Sequence, residues 1–194
     1  EKPMYDAMDT EHYYYVVILR KAKSRYISHY QHVKRGKLSP KMQGINFRSW
    51  WAHQPDNHNT RIICGSACND VPKYQISRER FYQTVERLKK FESILFLEDF
   101  QNSYERFTSS VGWRWKLDQP YQNQGSYKRD DGQFHFDPLM GALDDALYEY
   151  GQLLMAQQQT QKLSMTLSKE TENMLDIYFS EGEKRLCSNE CCGE

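Results

Sequence analysis

Arg20 and Ser28 stand eight residues apart and carry side chains that suit an anion. An arginine can hold a phosphate through two parallel N–H bonds. A serine hydroxyl can add a further donor. The spacing alone is common, and a surface arginine beside a solvated serine is the plain alternative. Other candidates surround this pair. Arg25 lies between them on the expected helix flank. Arg61 suits either an anion or a structural ion pair. His29 and His32 are spaced i, i+3, but no third metal ligand accompanies them, so no metal site is assigned. Lys34, Arg35 and Lys37 form a basic run, read as a solvated helix end or as a contact for an acidic polymer. Trp50 and Trp51 suit sugar stacking or packing. His53 and His58 fall in a polar loop, Glu98 ends an apolar run, and Asp144 is expected to cap or pair locally.

Five cysteines, Cys64, Cys68, Cys187, Cys191 and Cys192, are an odd number, so at least one is unpaired within the chain or bonded elsewhere. Cys64 and Cys68 can bond if the turn at Gly65-Ser66 brings them together. The cysteines can also supply four thiolates to zinc, though the usual tight C-x2-C knuckles are absent.

These residues need elements to position them. Tyr13 to Leu19 is an unbroken aromatic and aliphatic run, which predicts a strand buried on both faces. Tyr26, Tyr30 and Val33 then repeat at helical spacing, predicting a helix over about Lys23–Lys34 that Gly36 ends. Ser39-Pro40 suits the opening of a short helix. Asn57–Gly65 reads as a short helical or extended piece closed by a turn. Ser77 is an N-cap with Glu79 in the first turn, opening a helix striped by Phe81, Val85, Leu88 and Phe91. Ser93–Leu97 reads as a second buried strand, and Asn102 or Ser103 as the cap of a helix that stops near Gly112. Lys116–Asp137 reads as a polar loop. Leu139, Leu143, Leu147, Tyr150 and Leu154 mark a long amphipathic helix, and Leu175–Phe179 a last short one. Strand–helix followed by helix–strand–helix predicts an α/β fold with a mostly parallel sheet. Two strands are too few to complete such a sheet.

The chain has 194 residues, enough for one domain or part of one. Its division is expected at residue 160, with 161–194 a tail carrying a short helix and the Cys cluster. Lys plus Arg equals Asp plus Glu, so the net charge is zero, which argues against a general electrostatic grip on nucleic acid. With 14 Tyr, 9 Phe and 4 Trp there is ample side-chain volume for a core. No apolar run reaches the ~18 residues of a membrane span. The chain begins at Glu1 and is expected to be a fragment of a longer protein.

The stretch Tyr15-Val16-Val17-Ile18-Leu19-Arg20-Lys21-Ala22-Lys23-Ser24-Arg25-Tyr26-Ile27-Ser28-His29-Tyr30 resembles the 3′-phosphate-binding strand–helix of sulfotransferases that use 3′-phosphoadenosine 5′-phosphosulfate (PAPS). Lys21-Ala22 stands where that family has Asp-Pro. Asn57–Gly65 is similar to the Asn-x-x-Thr-Arg segment of a carbohydrate group that includes heparan sulfate 2-O-sulfotransferases and algal and plant relatives. Phe81–Trp113 resembles that group's next helix–strand–helix segment, with Ile94-Leu95-Phe96-Leu97-Glu98 as its strand. Leu143–Tyr150 resembles its closing helix, with Gly151 in place of an alanine. The four segments stand in the family's order and cover about Tyr13–Met155.

The resemblance implies a P-loop-like three-layer α/β fold with its N-terminal strand and 5′-phosphosulfate loop missing from this chain. It implies transfer of a sulfuryl group from PAPS to a hydroxyl of a carbohydrate or glycosaminoglycan-like acceptor. It places the 3′-phosphate on Arg20 and Ser28, with Arg61 as a further cofactor-binding candidate. The catalytic residue stays unassigned: the family's base lies upstream of the arginine strand, and His12 abuts the wrong end of that strand. A parent protein anchored in the Golgi membrane, with this part on the lumenal side, is the corresponding localisation. The alternative is a non-catalytic α/β binding module that keeps the scaffold. A nucleotide kinase is a weaker option, since no Walker A loop is present.

Overall fold

The computed structural model describes residues 13–34, 46–113, 134, 136–160 and 166–190, the backbone alone for 159–160 and 186–190. Its described elements are strand β1 (Val16–Leu19), helix α1 (Ala22–Lys34), α2 (Phe47–Ala52), α3 (His58–Cys64), α4 (Ser66–Asn69) and α5 (Arg78–Leu88). Strand β2 (Ser93–Phe96) and helices α6 (Phe100–Ser110), α7 (Ala142–Thr160) and α8 (Lys169–Glu190) follow. The expected helix at Ser39-Pro40, the end at Gly36 and most of the 116–137 loop lie outside the described residues.

The two strands pair in parallel, Val16 opposite Ser93 through Leu19 opposite Phe96. An α/β architecture with a parallel sheet therefore stands, in a mostly helical molecule. Glu92 extends the pairing below the strands: its N–H donates to the Tyr15 carbonyl, and its carboxylate accepts the Tyr15 N–H at 2.7 Å.

One sheet face carries the larger core. Leu19, Ile94 and Phe96 pack there with Leu143, Ala146 and Leu147 of α7 and Phe81, Val85 and Leu88 of α5. Gly151 is where α7 lies on the sheet. A Cβ there would come within 3.0 Å of Leu19 Cδ1 and 3.3 Å of Phe96. The absence of a side chain at Gly151 thus permits the close approach.

β1 corrects the expectation of a strand buried on both faces. Ile18 is 52% exposed and Tyr14 also lies open. The reason is the reach of α6. It covers Ser93 and Leu95 on the outer face of β2, and its Ser103 hydroxyl bonds both the N–H and the carbonyl of Phe96. That hydroxyl also blunts a strand edge.

A second, aromatic core holds α1. Ala22, Tyr26, Tyr30 and Val33 meet Trp50 and Met140, with Phe47, Trp51 and Phe136 around them. Here packing is the observed role of Trp50, which is buried.

Two other expectations are corrected. α6 starts not at an Asn102 or Ser103 cap but at Phe100, after a 3-10 turn over Leu97–Asp99. Asn102 Nδ2 instead donates back to Asp99. The last helix is 22 residues long rather than five, and it places Leu175, Tyr178 and Phe179 in the larger core. Its polar remainder hid its length, because only one narrow stripe is buried.

Candidate functional site

The carboxyl ends of parallel strands are where open α/β sheets bind ligands. In this chain Arg20 follows β1 there, and α1 begins two residues later. Ser28 lies in the middle of α1 and is half-buried, as is Arg20. The two residues thus stand on one strand–helix unit, Arg20 just after the strand and Ser28 within the helix.

Three further segments converge on this corner. From α3, Asn59 Nδ2 donates to the Arg20 carbonyl at 3.2 Å. From the turn after β2, the Glu98 carboxylate accepts the Lys21 N–H at 3.1 Å. From α7, the Asp145 carboxylate accepts the Ala22 N–H at 2.9 Å. A proline at position 22 would have no N–H to give Asp145, so this bond needs a residue other than proline there. Lys21 Nζ lies 5.8 Å from the centre of the Tyr148 ring. The Tyr148 hydroxyl is bonded to Glu98, and its pKa is pushed up to about 12, first by burial and then by the Glu98 charge.

Asp144 is the centre of the arrangement. It is 1% exposed. Its carboxylate accepts the Asn59 N–H at 3.1 Å, the Thr60 N–H at 2.8 Å, the Thr60 hydroxyl at 2.9 Å and Arg25 Nη2 at 3.2 Å. It therefore caps α3, where Asn57 at the N-cap position makes no side-chain cap of its own. Asn57 returns the favour: its Oδ1 accepts the N–H groups of Leu143 and Asp144, at 2.9 and 3.3 Å, at the start of α7. The two helices cap each other, which satisfies donors that would otherwise be left unmet. The expectation that Asp144 acts locally is overturned, because its partners lie 84 to 119 residues away.

Arg61 is buried below this corner, on α3. Its Nε donates to the Asp56 carbonyl at 2.8 Å, and its Nη1 to the carbonyls of Cys68 and Val71 at 2.6 and 2.8 Å. Its Nη2 is paired with the Asp56 carboxylate. Asp56 also accepts the Tyr74 N–H at 2.9 Å and the Tyr178 hydroxyl at 2.8 Å. Burial, and then the Asp56 charge, raise the Tyr178 pKa far above its ordinary value. Of the two roles weighed for Arg61, the structural ion pair is the one observed. The guanidinium spends its donors inside the protein.

The remaining candidates are spread out. His29 meets the Trp50 ring edge-on at 5.2 Å, and His32 is exposed. His53 Nδ1 bonds the Ser49 carbonyl. Among the described residues, no three His, Cys, Asp or Glu side chains gather as a metal site. Cys64 and Cys68 are joined by a disulfide, their Cα atoms 5.7 Å apart across the turn at Gly65, whose φ of +78° suits glycine. Arg35, Lys37, Cys191, Cys192 and the side chain of Cys187 lie outside the described residues, as does His12. No helix among the described residues is long and apolar enough to cross a membrane.

No family model matches this chain, and neither a curated protein nor a solved structure matches it significantly.

Sequence reasoning missed the Asp144–Asn57 reciprocal cap and the Asp56 hub. The one available signal was an Asp-Asn pair ahead of a helix and an Asp-Asp pair at the start of another. Neither pair says which helix it caps.

Proposed function

We propose that this chain carries the 3′-phosphate-binding part of a sulfotransferase that moves a sulfuryl group from PAPS to a carbohydrate hydroxyl. The observation that supports it is convergence. The four sequence segments that resemble the carbohydrate sulfotransferases are dispersed along the chain, yet they meet at the carboxyl end of β1. They do so through Asn59 to Arg20, Glu98 to Lys21, Asp145 to Ala22 and Asp144 to Thr60 and Arg25. A chance likeness in four segments gives no reason for them to share one corner of a fold.

The residues present fit the donor nucleotide. Arg20 stands where a strand end and a helix start meet, and Ser28 lies partly open on that helix. Beside them, Arg25 Nε is a buried donor without a partner among the described residues. PAPS supplies the activated sulfuryl group. In this reading Arg20 and Ser28 grip its 3′-phosphate, which separates it from adenylyl sulfate. Arg61 supports the site from below and makes no contact with the nucleotide. The Cys64–Cys68 disulfide is in keeping with an oxidising compartment, and the lumenal side of the Golgi membrane is the proposed location of the parent protein.

The test is calorimetric titration of the full-length gene product with 3′-phosphoadenosine 5′-phosphate and with 5′-AMP, beside Arg20→Ala. The 3′-phosphate should strengthen binding, and Arg20→Ala should remove about 10- to 100-fold of affinity, the worth of a charge-assisted bond. Equal affinity for both nucleotides in a folded protein would refute the assignment and leave the non-catalytic binding module standing.

A further inference from the structure

Arg25 has a geometry that packing alone does not explain. It sits three residues before Ser28 on α1, so the two side chains share one flank of the helix. Its guanidinium is fixed twice. Nη2 donates to Asp144 at 3.2 Å, and Cζ lies 4.0 Å from the centre of the Tyr26 ring. The side chain is only 14% exposed.

Within that rigid setting, Nε is buried and has no hydrogen-bond partner among the described residues. Buried donors are almost always satisfied, and an orphan among charged groups points to a missing acceptor. Asp144 cannot supply it. Its oxygens already take two backbone N–H groups, the Thr60 hydroxyl and Nη2. Asp144 is thus saturated, and Nε keeps a donor that no acceptor among the described residues takes.

We infer that Arg25 is a third binding residue for the nucleotide's 3′-phosphate, donating from its guanidinium edge, and that Asp144 is its positioning residue. The inference rests on the proposed sulfotransferase reading and deepens it. Arg20 approaches the phosphate from the strand end, Ser28 from the middle of α1, and Arg25 from the flank between them. Asp144 holds one end of the Arg25 fork and cancels part of its charge. The site then keeps direction without excess attraction for any anion. Asp144 also binds α3, whose Asn59 holds the Arg20 carbonyl. The same carboxylate thus sets the places of both arginines.

The experiment uses the full-length gene product and two probes, 3′-phosphoadenosine 5′-phosphate and 5′-AMP. The variants are Arg25→Lys, which keeps charge but loses the fork, and the double Arg25→Met with Asp144→Asn, which removes the buried pair together. Arg20→Ala is the control, and circular dichroism confirms folding of each. Both Arg25 variants should lose at least about 10-fold in affinity for the bisphosphate and none for 5′-AMP. In the ¹⁵N-labelled wild type, the Arg25 Nε–H resonance should move on adding the bisphosphate and stay still with 5′-AMP. That readout needs no variant to fold. If the variants bind the bisphosphate as the wild type does while Arg20→Ala fails, Arg25 is a structural residue and only this inference falls. An Nε resonance unmoved by the bound bisphosphate overturns it equally. If the folded wild type does not distinguish the two nucleotides, the sulfotransferase reading falls and takes the inference with it.

Discussion

Replacing Arg61 by Met separates a structural arginine from a ligand. The guanidinium holds the Asp56 carboxylate and the carbonyls of Asp56, Cys68, Val71 and Pro72. Asp56 is fully buried, so the variant leaves a carboxylate in the core without its cation. Breaking such a pair from one side costs about 3–5 kcal/mol. Asp56 keeps three donors, from Asn57, Tyr74 and Tyr178, which pulls the figure to the lower end. The dry carbonyls of Asp56 and Cys68 add about 1 kcal/mol each, giving about 5 kcal/mol in all. Against a typical stability of about 5–15 kcal/mol, that loss is plain in a urea titration. Arg61→Met should therefore unfold at much lower urea than wild type. The double variant with Asp56→Asn should recover at least about 2 kcal/mol of the summed single losses, because the neutral pair strands no charge. A loss below about 1 kcal/mol for Arg61→Met, or additive losses in the double, would refute the structural role. Normal stability with lost nucleotide affinity would restore Arg61 to the binding site.

Other expectations are equally direct. Replacing Cys64 and Cys68 by Ser should cost about 2 kcal/mol, the entropy of closing so short a loop, seen as a lower urea midpoint that reducing agent no longer changes; an unchanged midpoint would show that the bond does not constrain the unfolded chain. The His29 pKa lies below its ordinary 6.5, because burial and then the neighbouring Arg25 and His32 charges disfavour its proton. As pH falls below that value the unfolded chain gains a proton that the folded one resists, so stability drops through this window and His29 adds no slope above it. Comparing wild type with His29→Gln from pH 7.5 to 5 should show a shallower decline in the variant; parallel profiles would contradict the assignment. A Cβ at Gly182 would lie 2.4 Å from the Tyr74 carbonyl oxygen, so Gly182→Ala should shift α8 and cost about 1–3 kcal/mol in thermal or urea unfolding, whereas a neutral change would mean that α8 slides freely over Tyr74.

How much of this was legible in the sequence depends on the range of the interaction. Ser77 accepts the Arg80 N–H and opens α5 as the local cap pattern requires. Tyr26, Tyr30 and Val33 face inward as their spacing demands, and the two apolar runs are strands. Each outcome is settled within a few residues, by propensity, capping and period. The places of Arg20 after a strand and of Ser28 on a helix were legible too, because a strand end and a helix are both local facts. It did not hold the role of Arg61, whose fate depended on an Asp56 carboxylate that the fold buries beside it. Nor did it show that Ile18 stays open, since that follows from how far α6 reaches across β2. Asp144 and Asn57 show the limit most clearly. Each carries the residue type of a helix cap, and each caps the other's helix across more than eighty residues of chain. A carboxylate accepts any N–H that geometry brings within reach. Residue type determines that it will cap, and only tertiary packing decides which helix it caps and which arginine it holds.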